Sequence, residues 1–183
     1  MAGRRRWGCS RSSAAVPGMA RKGGPEALAR SSTRRAPPFS DPRLSALHAY
    51  WEKERGDRPL PSRTDIDPAA LRFVLGHLVL LDVLREPLRF RIRLQGTELE
   101  WWMGGNLTGQ EIERLRTPAL RALVRKCLTA TVESRAPHHR IGEEIVGDLP
   151  RRYEALLLPL AGDGANVNMV LAAVLCRDDR SAA

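Results

Sequence analysis

The sequence has little of what catalysis or metal binding usually needs. Its 183 residues include four histidines and three cysteines. Cys9, Cys127 and Cys176 are far apart, odd in number and without CxxC or other metal spacing, which fits idle thiols in a reducing compartment. The expected location is therefore cytoplasmic. P-loop, GxGxxG, HExxH and GxSxG signatures are all missing. No run of about 18 apolar residues occurs, so no membrane span is expected. His138-His139 and Glu143-Glu144 are adjacent pairs in a strand-like stretch, where neighbours point to opposite faces and cannot share one metal or one proton. His48 falls on the apolar stripe of a helix and reads as a packed histidine. The residues thus point to no catalytic group, no metal and no haem, and they name no cofactor.

Positive charge is plentiful, but unevenly placed. Residues 1–38 carry nine of the thirty Lys/Arg and one of the twenty-one Asp/Glu, a net +8 of the chain's +9. This stretch is rich in Arg, Ser, Gly, Ala and Pro and poor in large apolar residues, so residues 1–40 are expected to be a disordered basic tail. Its "MAGRRRWGCSR" start faintly suggests a twin-arginine export signal, but "SSAAVPGMARKGG" is too small and polar for the apolar region that such a signal carries. A solvated extension, or a start at Met19, are the plainer readings. Binding of nucleic acid through the tail is not expected, because no recognised nucleic-acid fold accompanies the charge.

Order is expected from residue 41 to 178. Asp41 caps a helix that Pro42 opens, Leu44, Leu47, His48 and Trp51 form its buried stripe, and Gly56 ends it. "DIDPAALRFVLG" repeats the device, with Asp67 as cap, Leu71 and Val74 inward and Gly76 as stop. "HLVLLDVL" reads as a central strand. In Leu88–Gln95, Leu88, Phe90, Ile92 and Leu94 alternate with Arg89, Arg91, Arg93 and Gln95, the period of a strand with one face on the core. The two strands form an antiparallel hairpin. Short helices are expected next, in "GTELEWWMGG" and "NLTGQEIERL". The strongest helix begins at Thr117-Pro118, with Leu120, Leu123, Val124, Cys127, Leu128 and Thr131 on one stripe. Three strands end the chain, near 136–144, 152–160 and 167–176, the last two joined at Asp163-Gly164. Five mostly antiparallel strands with helices grouped mid-sequence make an α+β domain.

The Trp101-Trp102 pair admits two readings: core filling, or one aromatic wall of a small-molecule cavity. Leu99, Trp102 and Met103 lie at i, i+3 and i+4 and share a helix face, so Trp102 rather than Trp101 should point inward.

Several stretches together resemble a known group. They are the helix ending Tyr50-Trp51, Pro61-Ser62-Arg63, Asp65-Ile66-Asp67-Pro68, Phe90-Arg91-Ile92-Arg93-Leu94, Gly96-Thr97, Leu107-Thr108-Gly109 and Leu158-Pro159-Leu160 before Asp163-Gly164. In this order, over about residues 43–177, they look like a bacterial group of single-domain PAS proteins. The tryptophan pair and the arginine-rich tail are not part of that pattern. The resemblance implies a five-stranded antiparallel sheet with helices over one face, preceded here by N-terminal helices and the tail, and usually enclosing a small cavity. It implies a sensory or interaction module without catalysis or an output domain of its own, so that a separate signalling protein is the expected partner, with a homodimer as a further option. The expected ligand is small and apolar or aromatic, held by Phe90, Ile92, Leu94, Leu99, Trp102, Met103, Leu156 and Leu158. A small α+β enzyme using the same cavity, and a nucleic-acid-associated protein acting through the tail, are the alternatives.

Overall fold

Two prolines in first-turn positions mark where the long helices begin. Pro42 has no N–H to leave unpaired, and the Asp41 carboxylate accepts from Arg43 N at 2.8 Å. Thr117 does the same for Pro118, its Oγ1 accepting from Leu120 N at 3.1 Å. In the computed structural model, which describes residues 39–146 and 149–177, these helices are α1 (Pro42–Arg55) and α3 (Pro118–Ser134). A four-residue helix, α2 (Glu100–Met103), lies between them. The tail expected over residues 1–40 lies outside the described residues except for Phe39 and Ser40.

The strands are β1 (Leu78–Leu84), β2 (Arg89–Gln95), β3 (His138–Val146), β4 (Leu149–Leu160) and β5 (Met169–Arg177). They form one antiparallel sheet in the order β2-β1-β5-β4-β3. The α+β expectation holds. The turn before β5 is closed by Asp163, whose carboxylate accepts from the backbone N–H groups of Ala165 and Asn166, with Gly164 at φ 72°. Those N–H groups hold the exposed Asp163 carboxyl down to about 2.

Helical material covers both faces of the sheet. One face packs under α2, α3 and the 3₁₀ turn Ile112–Arg114, with the turn Thr97–Leu99 packed against α2 and the turn Leu75–His77. The other packs under α1, where Leu44, Leu47 and Trp51 are buried and the Trp51 indole Nε1 donates to Pro159 O at 3.0 Å.

Two expectations are corrected. Residues 67–76 do not form one helix. They form separate 3₁₀ turns, Pro68–Leu71 and Leu75–His77, with Val74 between them at φ −137°. Leu71 and Val74 are both buried, as expected, although no single helix carries them. The chain must also bend sharply here: a Cβ on Gly96 would lie 2.2 Å from Gly76 O, so β1 enters against the end of β2 with no room for a side chain.

The second correction concerns β2. Leu94 is 45% exposed, whereas Gln95 is buried. Leu81 pairs with Ile92 but Leu80 pairs with Leu94, so Arg93 is an extra residue and the pairing shifts. Because side chains alternate strictly, this bulge reverses the phase of Leu94 and Gln95.

Candidate functional site

Strand phase decides what the cavity is made of. On β4, Tyr153, Ala155 and Leu157 face α3, while Glu154, Leu156 and Leu158 face the α1 side. Val79 and Leu81 of β1 and Ala172 and Val174 of β5 share the α3 side. Above them lie Trp102 and Met103 from α2, Ile112 and Leu115, and Leu123, Val124, Cys127 and Leu128 from α3. The sheet contributes two alanines, Ala155 and Ala172, where larger side chains would have met the cover. A cavity of about 80 Å³ remains between the layers.

The cover comes in pieces. Gly104, at φ 97°, ends α2 in the left-handed region that glycine tolerates. The loop after it is held by Gln95, whose side-chain Nε2 donates to Gly105 O and whose Oε1 accepts from Leu107 N, both at 2.9 Å. The bulge that turns Leu94 outward is what brings this amide inward. Arg116 donates to Trp101 O at 2.6 Å, and the Arg151 guanidinium lies 5.8 Å from the Trp101 ring centre.

The ionisable groups on the wall are Cys127, Arg140 and Tyr153. Burial pushes the Cys127 thiol up, against the smaller opposing effects of Arg140 and Lys126, which disfavours a reactive thiolate. Arg140 Nε donates to the Tyr153 hydroxyl at 2.9 Å. Gly142 leaves room for that tyrosine: a Cβ there would come within 2.7 Å of its hydroxyl oxygen.

Of the eight residues expected to hold a ligand, Trp102 and Met103 are on the wall. Phe90, Ile92 and Leu99 are fully buried core residues but are not on it. Leu94 is exposed because of the bulge. Leu156 and Leu158 are fully buried on the α1 side of the sheet, because Tyr153, Ala155 and Leu157 take the cavity side. Sequence reasoning missed those three, and also Cys127 and Leu128 as wall residues, although it had placed the latter two on the inward stripe of α3. Trp101 is 44% exposed, as the helical spacing required.

A second polar feature lies across the sheet. Glu154 is 1% exposed. Its Oε1 lies 2.8 Å from His139 Nε2 and accepts from Ser40 N at 2.9 Å. Phe39 packs edge-on against His139, with ring centres 4.9 Å apart, and also meets His48. His138 and His139 do point to opposite faces. Among the described residues no group of three or more His, Cys, Asp or Glu is placed to hold a metal ion, and no helix is long and apolar enough to cross a membrane.

A family model described as "PAS domain" matches residues 40–175. Among solved structures, the chain is similar to the PAS domain of BvgS from Bordetella pertussis, at 15% identity and TM-score 0.47 over 60% of this chain and 84% of that one. It is also similar to a light-oxygen-voltage domain studied with a flavin analogue, at 16% identity and TM-score 0.46 over 62% and 86%. A sensory box sensor histidine kinase from Vibrio cholerae is similar at 14% identity and TM-score 0.43 over 60% and 90%. No curated protein matches the chain.

Proposed function

The chain belongs to the PAS domain family, and from that premise we propose that it is a sensory module that binds a small apolar molecule between the sheet and α3 and passes the event to a separate protein. The observation that carries this reading is the apolar cavity of about 80 Å³ under a cover that joins α3 to short pieces, α2 and the turn Ile112–Arg114. Such pieces bury less per residue than one long helix, so a ligand can tip their packing at small cost. The volume sets the ligand's scale: an apolar protein cavity of ~150 Å³ admits benzene, so the resting cavity suits a smaller molecule.

Binding is favoured over catalysis by the wall itself. The Cys127 thiol is pushed up by burial, and the Tyr153 hydroxyl is engaged by Arg140. Among the described residues that leaves no nucleophile–base pair facing the cavity. Passage of the signal to a partner is supported by the edge strand β3, where Ile141 and Ile145 are exposed at i and i+4 on one face.

Native mass spectrometry of the full purified chain tests the reading. The expected result is a small molecule retained in gentle conditions and released on unfolding. Ala172→Leu, which fills the cavity from the sheet side, should lose it. Parent protein with nothing bound, or a variant that retains the molecule equally, would defeat the proposal.

A further inference from the structure

The two edges of the sheet are finished differently. β2 is closed by the chain's own loop: Gly109 N donates to Ile92 O at 2.7 Å, Ile92 N donates to Gln110 O at 2.8 Å, and Arg91 bridges to Glu111. At the other edge β3 pairs with β4 without a break from His138 to Val146. Among the described residues no backbone hydrogen bond is made on its outer side. Edge strands are commonly protected by proline, a bulge or a covering segment. Over its nine residues β3 has neither proline nor bulge. Ile141 and Ile145, on the α1 side of this strand, are 59% and 64% exposed, more than any other large apolar side chain described.

We infer that β3 is completed by β3 of a second copy of this chain, antiparallel about a two-fold axis at Gly142, so that two five-stranded sheets become one. The strand's own charges select that register. Joined sheets keep each face on its own side, so a residue meets one of its own face and the axis falls on a residue. Centred on Arg140, Glu143 or Glu144, the pairing sets a charge against its own copy. Centred on Ile141, it leaves Arg140 opposite Gly142. Centred on Gly142, it sets Arg140 opposite Glu144 of the second copy, twice over, and opposes no like charges. Arg140 gives its Nε–H to Tyr153 but keeps other N–H groups for a carboxylate. Glu144, opposite Arg151 on β4, then stands between two arginines. Glu143 keeps Arg152, 3.7 Å away. On the α1 side, Ile141 lies diagonally beside both Ile141 and Ile145 of the second copy, within reach of long side chains. Edge pairing uses backbone groups, so this isoleucine stripe stays on the sheet face, open to the separate protein proposed above. The inference does not depend on the cavity.

Sedimentation of the full chain at rising concentration tests this. The expected result is a monomer–dimer equilibrium, with amide exchange in His138–Val146 slowing as the dimer forms while β2 is unchanged. Arg140→Glu and Glu144→Arg each oppose like charges at both symmetric sites, and each should weaken the dimer about tenfold. Mixed together, the two variants should pair with each other as tightly as the parent does, because the heterodimer again sets glutamate against arginine. Native mass spectrometry separates that heterodimer from either homodimer. A parent chain that stays monomeric up to about 1 mM, or a dimer in which exchange in β3 does not slow, overturns the inference. So do single variants that dimerise like the parent, and folded single variants whose mixture does not. Exchange in the parent needs no variant, so the inference stays falsifiable even if a substitution prevents folding.

Discussion

The two faces of the sheet are built from similar kinds of large side chain and end in different states. On one side a single helix of 14 residues lays Leu44, Leu47 and Trp51 onto β4 and its neighbours, with the Trp51 indole bonded to Pro159 O and Glu154 Oε1 bonded to Ser40 N and within 2.8 Å of His139 Nε2. On the other side two pieces of three or four residues and one long helix cover a cavity, and a buried indole N–H is left without an acceptor among the described residues. The first face has the features of a structural support. The second stays incompletely packed, as the proposed ligand binding requires.

The sharpest test of this contrast is a pair of tryptophan deletions. Trp51→Ala removes a buried aromatic and strands Pro159 O, and should cost about 3–5 kcal/mol. Trp102→Ala removes a side chain that already borders empty space, together with an unpaired donor. It should cost about 1–3 kcal/mol, because fewer contacts are lost and one unfavourable burial is relieved. Urea denaturation of both variants measures the difference. Equal losses would mean that the cavity face is packed as solidly as the other.

Next in size is Glu154. Replacing it by Ala leaves Ser40 N and His139 without their shared acceptor beneath the α1 side, and should cost about 1.5–3 kcal/mol. Glu154→Gln, which keeps an acceptor oxygen, should recover part of that. Losses confined to the α1 side would appear in hydrogen exchange as faster exchange in Pro42–Arg55 with α3 unchanged.

Periodicity set the limits of what could be read in advance. The α1 face was legible because Asp41-Pro42, the spacing of Leu44, Leu47 and Trp51, and Gly56 all agree. The inward Trp102 was legible for the same reason. The cavity wall on β4 was not, since Tyr153 to Leu160 is buried on both faces and a run without polar alternation carries no phase. The bulge was hidden too: Leu88–Gln95 alternates cleanly in sequence, and only the pairing of Leu80 with Leu94 after Leu81 with Ile92 turns Leu94 out and Gln95 in. The arginines of β2 make sense in that light, because Arg91 and Arg93 both bond the buried Asp82. Burial alone would raise the Asp82 carboxyl, and the two arginines outweigh it and hold it low.

A smaller effect is expected from pH. Burial lowers the proton affinity of His48, His77 and His138. His77 Nε2 sits 3.3 Å from Arg43 Nη1, a donor that suits the neutral imidazole. Each of these histidines therefore binds its proton more weakly in the folded chain than in the unfolded one, whose value is about 6.5. Stability should be constant near pH 7.5 and decline as pH falls below about 6.5, where the unfolded chain holds more protons. Asp82 adds nothing in this window, since its lowered carboxyl is ionised in both states until pH nears its unfolded value of about 4. Equilibrium denaturation at pH 7.5, 6.5 and 5.5 measures the slope. His48→Asn should flatten part of it, tying that part to the α1 side; a slope that does not change would show that this histidine contributes none of it.

The smallest effect is expected at Trp101, the outer member of the pair. Its ring is half exposed and lies under the Arg151 guanidinium at 5.8 Å, while Arg116 holds its backbone oxygen and would still do so in an alanine variant. What Trp101→Ala removes is one exposed cation–π contact and part of a surface packing patch, so the loss should be about 0.5–1 kcal/mol by urea denaturation. The variant probes the cover more than the fold. Arg151 belongs to β4 and Trp101 to α2, so their contact links the cover to the sheet at the cavity's edge. Losing it should speed amide exchange in Glu100–Met103 while β1 and β5 stay protected. Trp51→Ala should instead speed exchange across the α1 face. If Trp101→Ala were to destabilise the chain more than Trp102→Ala does, the inward and outward members of the pair would be reversed, and the cavity would lose the indole that defines its wall.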